Sequence, residues 1–144
     1  MKRFALVGLA SVAATMALAD VGAIKARQKI FEGWSDATKP VAGMLRGQQA
    51  FSLPTVQTSL KAYIDGAEKL QALFPDDSKT GEKTEALPAI WEKKQDFTGL
   101  LAKFGSDSQA ALAAIKDEAS LKAEMPKVLG ACKNCHDQYR AKKS

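Results

Sequence analysis

Apolar side chains recur every three or four positions through most of this chain, and no stretch alternates apolar with polar residues as a half-buried strand does. The periodicity predicts four helices. The first covers about Val21 to Leu45, with Ile24, Phe31, Thr38, Ala42 and Leu45 on one face and Arg27 at its edge; Pro40 inside it predicts a kink or a break. The second starts at "SLPTV", where Ser52 is placed to cap and Pro54 suits the first turn. It turns Val56, Leu60, Tyr63, Ile64, Ala67 and Leu70 inward before stopping at Pro75. A polar loop, "PDDSKTGEKTEAL", occupies Pro75 to Leu87. The third helix begins near Pro88 and spaces Ile90, Trp91, Phe97, Leu101, Phe104, Leu112 and Ile115 along one side. Gly105, Ser106 and Asp107 are a combination that ends one helix and caps another, so its length is open. The fourth runs from about Ala119 to Arg140, with Pro126 near its start as an expected bend. Long amphipathic helices with short connections predict an all-α fold, an antiparallel four-helix bundle.

With 144 residues, 46% of them hydrophobic and 26% charged, the chain fits one globular domain with a core of its own. The opening "MKRFALVGLASVAATMALAD" sets Lys2 and Arg3 before an uncharged apolar run from Phe4 to about Leu18, closed by the small-x-small sequence Ala17-Leu18-Ala19. This is the signature of a secretory signal peptide cut after Ala19, which divides the chain into 1–19 and a mature domain 20–144. A membrane anchor fits less well, because a span needs about 20 apolar residues. The expected mature protein is exported to the periplasm, soluble and without a membrane span. Removing Lys2 and Arg3 from the 21 basic residues leaves 19 against 16 acidic ones, a formal charge of +3 that is too mild to argue for nucleic acid.

The chemistry gathers near the C-terminus. In "GACKNCHDQYRAKKS" stand both cysteines and the only histidine of the chain, Cys132, Cys135 and His136. At about 100° per residue the three fall within an arc of roughly 100°. Met125, Val128, Leu129 and Tyr139 share that stripe, so the arc is expected to point into the bundle. C-x-x-C-H is the attachment sequence of a c-type haem. Two thiols one helical turn apart reach the two vinyl groups of one porphyrin, and the adjacent imidazole comes under the iron. A thioredoxin-like dithiol would sit at a helix N-terminus after a strand, not late in a helix. A structural zinc site needs four ligands where the chain has three Cys and His residues. A plain disulfide closes a very short loop and leaves the histidine unexplained.

Over essentially the whole mature chain the sequence resembles the cytochromes c prime, the four-helix-bundle c-type cytochromes with a C-terminal haem motif. The resemblance rests on "AIKARQ" and "RGQQAF" at the ends of the first helix, "ALFP" ending the second, "PAIW" opening the third and "GACKNCHDQYRAKK" in the fourth. It implies one haem c per chain, covalent through Cys132 and Cys135, with His136 as axial iron ligand. It further implies that Arg27 lies near a haem propionate, that Arg140 lies beside the proximal face, and that the chain pairs as a homodimer. The other reading of both arginines is an exposed helix end.

The second axial site decides the chemistry. Low-spin members of the resembled family take a methionine from the first helix at the position aligned with Phe31, and phenylalanine cannot ligate iron. Of the methionines left after cleavage, Met44 is about 20 Å along the helix from Phe31 and about 140° around it, and Met125 is about 16 Å from His136 along its own helix. Both read as core filler. The expectation is a five-coordinate, high-spin haem with Phe31 as an apolar lid and Trp34 one turn further on. The function would be electron transfer with a periplasmic redox partner, binding of diatomic gases such as nitric oxide and carbon monoxide, or both. The alternative is a low-spin, six-coordinate electron carrier, and the other reading of Phe31 is an ordinary core aromatic. No enzymatic activity is expected, because there is no second histidine for distal acid–base work.

Overall fold

Asp20 opens the first helix: its carboxylate accepts from the Ala23 amide at 2.9 Å, satisfying one of the donors that a helix start leaves unpaired. The computed structural model describes residues 20–142, and the expected signal peptide lies outside them. The helices are α1 (Val21–Leu45), α2 (Leu53–Leu70), α3 (Ala89–Glu92), α4 (Lys94–Ala114) and α5 (Glu118–Tyr139), with one 3-10 turn at Asp76–Ser78. α1, α2, α3 with α4, and α5 make the antiparallel four-helix bundle. Gly47, at φ +69°, turns the chain after α1 in the left-handed conformation that glycine adopts without strain.

Several local expectations need correction. Of the kink or break expected at Pro40, the break does not occur, since α1 continues through it, and α5 likewise continues through Pro126. The third helix breaks at Lys93 (φ −119°, ψ 46°) and not at Gly105. There the chain is tied back by Trp91, whose Nε1 donates to the carbonyls of Phe74 and Pro75 at 3.1 and 3.0 Å. Through Gly105 the helix keeps going because its polar residues bond within it: Ser108 donates to the Phe104 carbonyl at 2.7 Å, and Lys103 pairs with Asp107 one turn on. Ser52 stands before α2 but spends its hydroxyl on Thr55 Oγ1, so Pro54 in the first turn is the remaining start signal.

A cap that the periodicity did not reveal starts α5. Asp117 accepts from the Ser120 amide at 2.8 Å while the Ser120 hydroxyl accepts from the Asp117 amide at 3.0 Å, a reciprocal capping box. Hydrogen bonds from the Ser120 amide and then its hydroxyl hold the Asp117 carboxyl below its ordinary pKa. Because the folded pKa is the lower one, the cap's contribution is present above the unfolded value and lost as pH falls through the folded one. An asparagine in this place would cap at every pH. Between about pH 7 and about pH 3, thermal melts of Asp117→Asn are therefore expected to fall less than those of the natural chain.

The interior forms two apolar clusters. One joins Val41, Met44, Val56, Leu60, Tyr63, Phe104, Ile115, Leu121, Met125 and Val128; the other joins Leu70, Phe74, Ile90, Phe97, Leu101 and Tyr139. α1 packs on α2, α2 on α4 and α4 on α5. Among the described residues no comparable contact closes the ring from α5 back to α1.

Candidate functional site

One stripe of α5 is buried at both ends and uncovered between them. Leu121 and Met125 are 0% exposed and Val128 2%, and Tyr139 beyond is again buried. Between them Leu129, Cys132 and Cys135 are only half-buried and His136 is exposed. All lie within one inward arc, so helix phase does not explain the change. The cause is the missing neighbour, since the open α5–α1 seam leaves these residues without cover. The expectation that the whole arc points away from water is corrected for His136. Cys132 packs on the first apolar cluster and Cys135 on the second, so the two thiols stand where the core divides.

Both cysteines are free. Burial raises the pKa of Cys132, and burial followed by the neighbouring thiol pushes Cys135 up to about 11. At neutral pH both are thiols, the opposite of an activated redox dithiol. The imidazole of His136 is held below its ordinary pKa by desolvation on its protein side and then by the Arg140 charge. It is therefore neutral at neutral pH and keeps the lone pair that a metal ligand needs. Asp137 beside it is paired to Lys133 one turn back.

Phe31 lies on α1 at 36% exposure, edge-on to Trp34 with ring centroids 5.5 Å apart. It does not lie on the core face, where the apolar periodicity put it. The buried face of α1 is Ala23, Ile24, Arg27, Val41, Gly43 and Met44, with Trp34 packed in both apolar clusters. That face is rotated by roughly 60° from the one read off the apolar residues, and its centre line holds Arg27 and Trp34. Phe31 is left at the border.

Arg27 is corrected most. It is 2% exposed, not at an edge, and its guanidinium reaches the α2–α3 loop. Nη1 donates to the Leu73 carbonyl at 3.1 Å and to Ser78 Oγ at 2.8 Å. Nη2 donates to the Ser78 carbonyl at 2.8 Å and Thr84 Oγ1 at 2.9 Å. The rings of Phe74 and Trp91 lie 4.5 and 5.8 Å from the charge. With both Nη groups engaged, only Nε is left for a propionate. Arg140 ends α5 and donates from Nε to Glu85 Oε2 at 2.5 Å. Glu85 went unnoticed in the sequence because a loop carries no periodicity to flag it.

A family profile described as Cytochrome C' matches residues 22–140, nearly the whole described chain. The chain belongs to the cytochrome c' family. It is 50% identical over 139 residues to a cytochrome c' of Rhodopseudomonas palustris, covering 96% of this chain and 95% of that one. The solved structure of cytochrome c' from Rhodopseudomonas palustris superposes with a TM-score of 0.83 at 53% identity, over 85% of this chain and 98% of that one. A cytochrome c-556 of Agrobacterium tumefaciens is 32% identical over 123 residues, covering 85% of this chain and 99% of its own. The cofactor is thus haem c, which the family binds, and the residues fit it. Two unoxidised thiols one turn apart, a neutral imidazole beside the second, and an uncovered window in an otherwise buried stripe are the features a covalently held, largely apolar group requires.

Proposed function

We propose that this chain is an exported, periplasmic cytochrome c' whose haem is attached at Cys132 and Cys135 and ligated by His136. Its iron is five-coordinate and high-spin, and it serves electron transfer and the binding of small gases such as nitric oxide and carbon monoxide. Residues 1–19 are the export signal and 20–144 the haem domain. When bound, the group supplies a one-electron ferric–ferrous couple and an iron with a free coordination position. The chain's own residues do the rest. The thiols of Cys132 and Cys135 would fix the group in register, the His136 imidazole would ligate its iron, and Phe31 would offer an apolar surface with neither a donor nor an acceptor.

The observation that carries this reading is the position of the methionines. Met44 and Met125, the two among the described residues, are 4% and 0% exposed inside the first apolar cluster. Neither thioether is free to serve as a sixth ligand without dismantling that cluster. No described helix is long and apolar enough to cross a membrane, in keeping with a partner met in solution, a periplasmic redox protein or a second copy of the chain. A non-enzymatic role follows from the single histidine, which as axial ligand leaves no imidazole for acid–base catalysis.

Absorption spectra of the ferric and ferrous protein test the reading. High-spin spectra in both states and uptake of carbon monoxide by the ferrous form are expected. A methionine-to-iron charge-transfer band, or ferrous protein indifferent to carbon monoxide, would instead leave the six-coordinate electron carrier.

A further inference from the structure

The α2–α3 loop bridges α1 and α5, between which the described residues make no helix–helix contact comparable to those of the other neighbouring pairs. On the α1 side it is held by the four Arg27 hydrogen bonds, by Gln28 Nε2 donating to the Glu82 carbonyl at 2.9 Å, by Lys25 paired with Glu82 at 3.5 Å, and by the Asp20 amide donating to the Asp77 carbonyl at 3.0 Å. On the α5 side the Leu87 amide donates to the Tyr139 carbonyl at 3.0 Å, and the Ala141 amide donates to the Glu85 carbonyl at 2.8 Å. There Arg140 also pairs with the Glu85 carboxylate. Thr84, which takes the Arg27 bond, and Glu85, which takes the Arg140 bond, are neighbours in sequence. One peptide unit therefore spans from the arginine of α1 to the arginine of α5. Just before it Gly81, Glu82 and Lys83 all have positive φ, at 106°, 46° and 53°. For two non-glycine residues in a row that conformation costs energy and persists only where the surroundings impose it.

We propose that residues 84–87 form a positioning strap that sets the separation of α1 and α5 at the His136 end of the open seam, and with it how much water reaches the haem there. The proposal rests on the haem reading above. Arg27, Thr84, Glu85 and Arg140 act through the helices they hold, and the strap, not direct helix packing, fixes this end of the seam.

Two variants loosen one side each of the strap in the haem-loaded protein and leave the apolar clusters alone. Thr84→Val removes the hydroxyl that accepts from Arg27, and Ala141→Pro removes the amide that donates to Glu85. In each, exchange of the Leu87 amide with deuterium is expected to quicken about fivefold, the Boltzmann factor of one net hydrogen bond. Water admitted to the seam favours the more highly charged ferric state, so the midpoint potential is expected to fall and the carbon monoxide association rate to rise. Thr84→Ser, which restores the hydroxyl, is expected to return all three to the natural values. Unchanged exchange, or faster exchange with unchanged potential and gas rate, overturns the strap. A natural chain that carries no covalent chromophore overturns the haem reading itself and the strap with it.

Discussion

Arg27→Met lowers the unfolding free energy by about 3 kcal/mol, read as a shift of the urea midpoint at unchanged slope. The size follows from what the guanidinium leaves behind. Ser78 Oγ still donates to the Pro75 carbonyl at 2.8 Å, and Thr84 Oγ1 still accepts from the Ala86 amide at 3.3 Å, so the hydroxyls keep partners. The carbonyls of Leu73 and Ser78 lose the Arg27 donors, and each such loss in a buried place costs about 1–3 kcal/mol. Part of this is offset because a desolvated charge also disappears; burial lowers the Arg27 pKa, with Asp20 pulling the other way. Arg27→Lys is expected to recover less than half of the loss, since an ammonium cannot present two parallel pairs of donors to the loop. A loss below about 1 kcal/mol for the methionine variant would mean that the loop holds itself without the arginine.

The second large effect is expected at Gly66, where α2 crosses α1. A Cβ there would stand 2.4 Å from Trp34 Nε1 and 2.8 Å from both Ile30 Cγ2 and Trp34 Cε2. The indole cannot yield freely. Its Nε1 donates to the Ala62 carbonyl at 2.9 Å, and its ring lies 4.8 Å from Phe104 and 6.2 Å from Tyr63, centroid to centroid. Alanine gains about 1 kcal/mol of helix propensity over glycine, while overpacking costs about 1–3 and the displaced hydrogen bond about 1 more. Gly66→Ala is thus expected to destabilise by about 2 kcal/mol in chemical unfolding. Combined with Trp34→Phe, which shortens the opposing side chain, its cost should be smaller than when it is made alone. Strict additivity of the two changes would show that the crossing is not where the strain arises.

The number of long helices, their approximate bounds and the haem-binding family to which the C-terminal Cys132–Cys135 pair points were legible in the sequence because each depends on spacing along one element. The phase of α1 was not. The face traced by the apolar residues puts Arg27 at its edge, yet a guanidinium whose charge is met by carbonyls, hydroxyls and two aromatic faces is stable at the centre of a buried face. Those acceptors come from a loop about fifty residues away, and periodicity within a helix cannot report them. Phe31 stands at the border of the buried face for the same reason, set there by the true phase of its helix. The uncovered window on α5 was invisible because it reflects what α1 does not do. His136 is exposed although it lies only about 20° around the helix from buried Met125.

Among the residues packed on the two apolar clusters, Trp34 alone belongs to both. Where the core divides, Leu129, Cys132 and Cys135 are only half-buried, so apolar surface lies beside the divide. Exposed apolar surface beside a divided core invites local opening, and local opening is what proteases act upon.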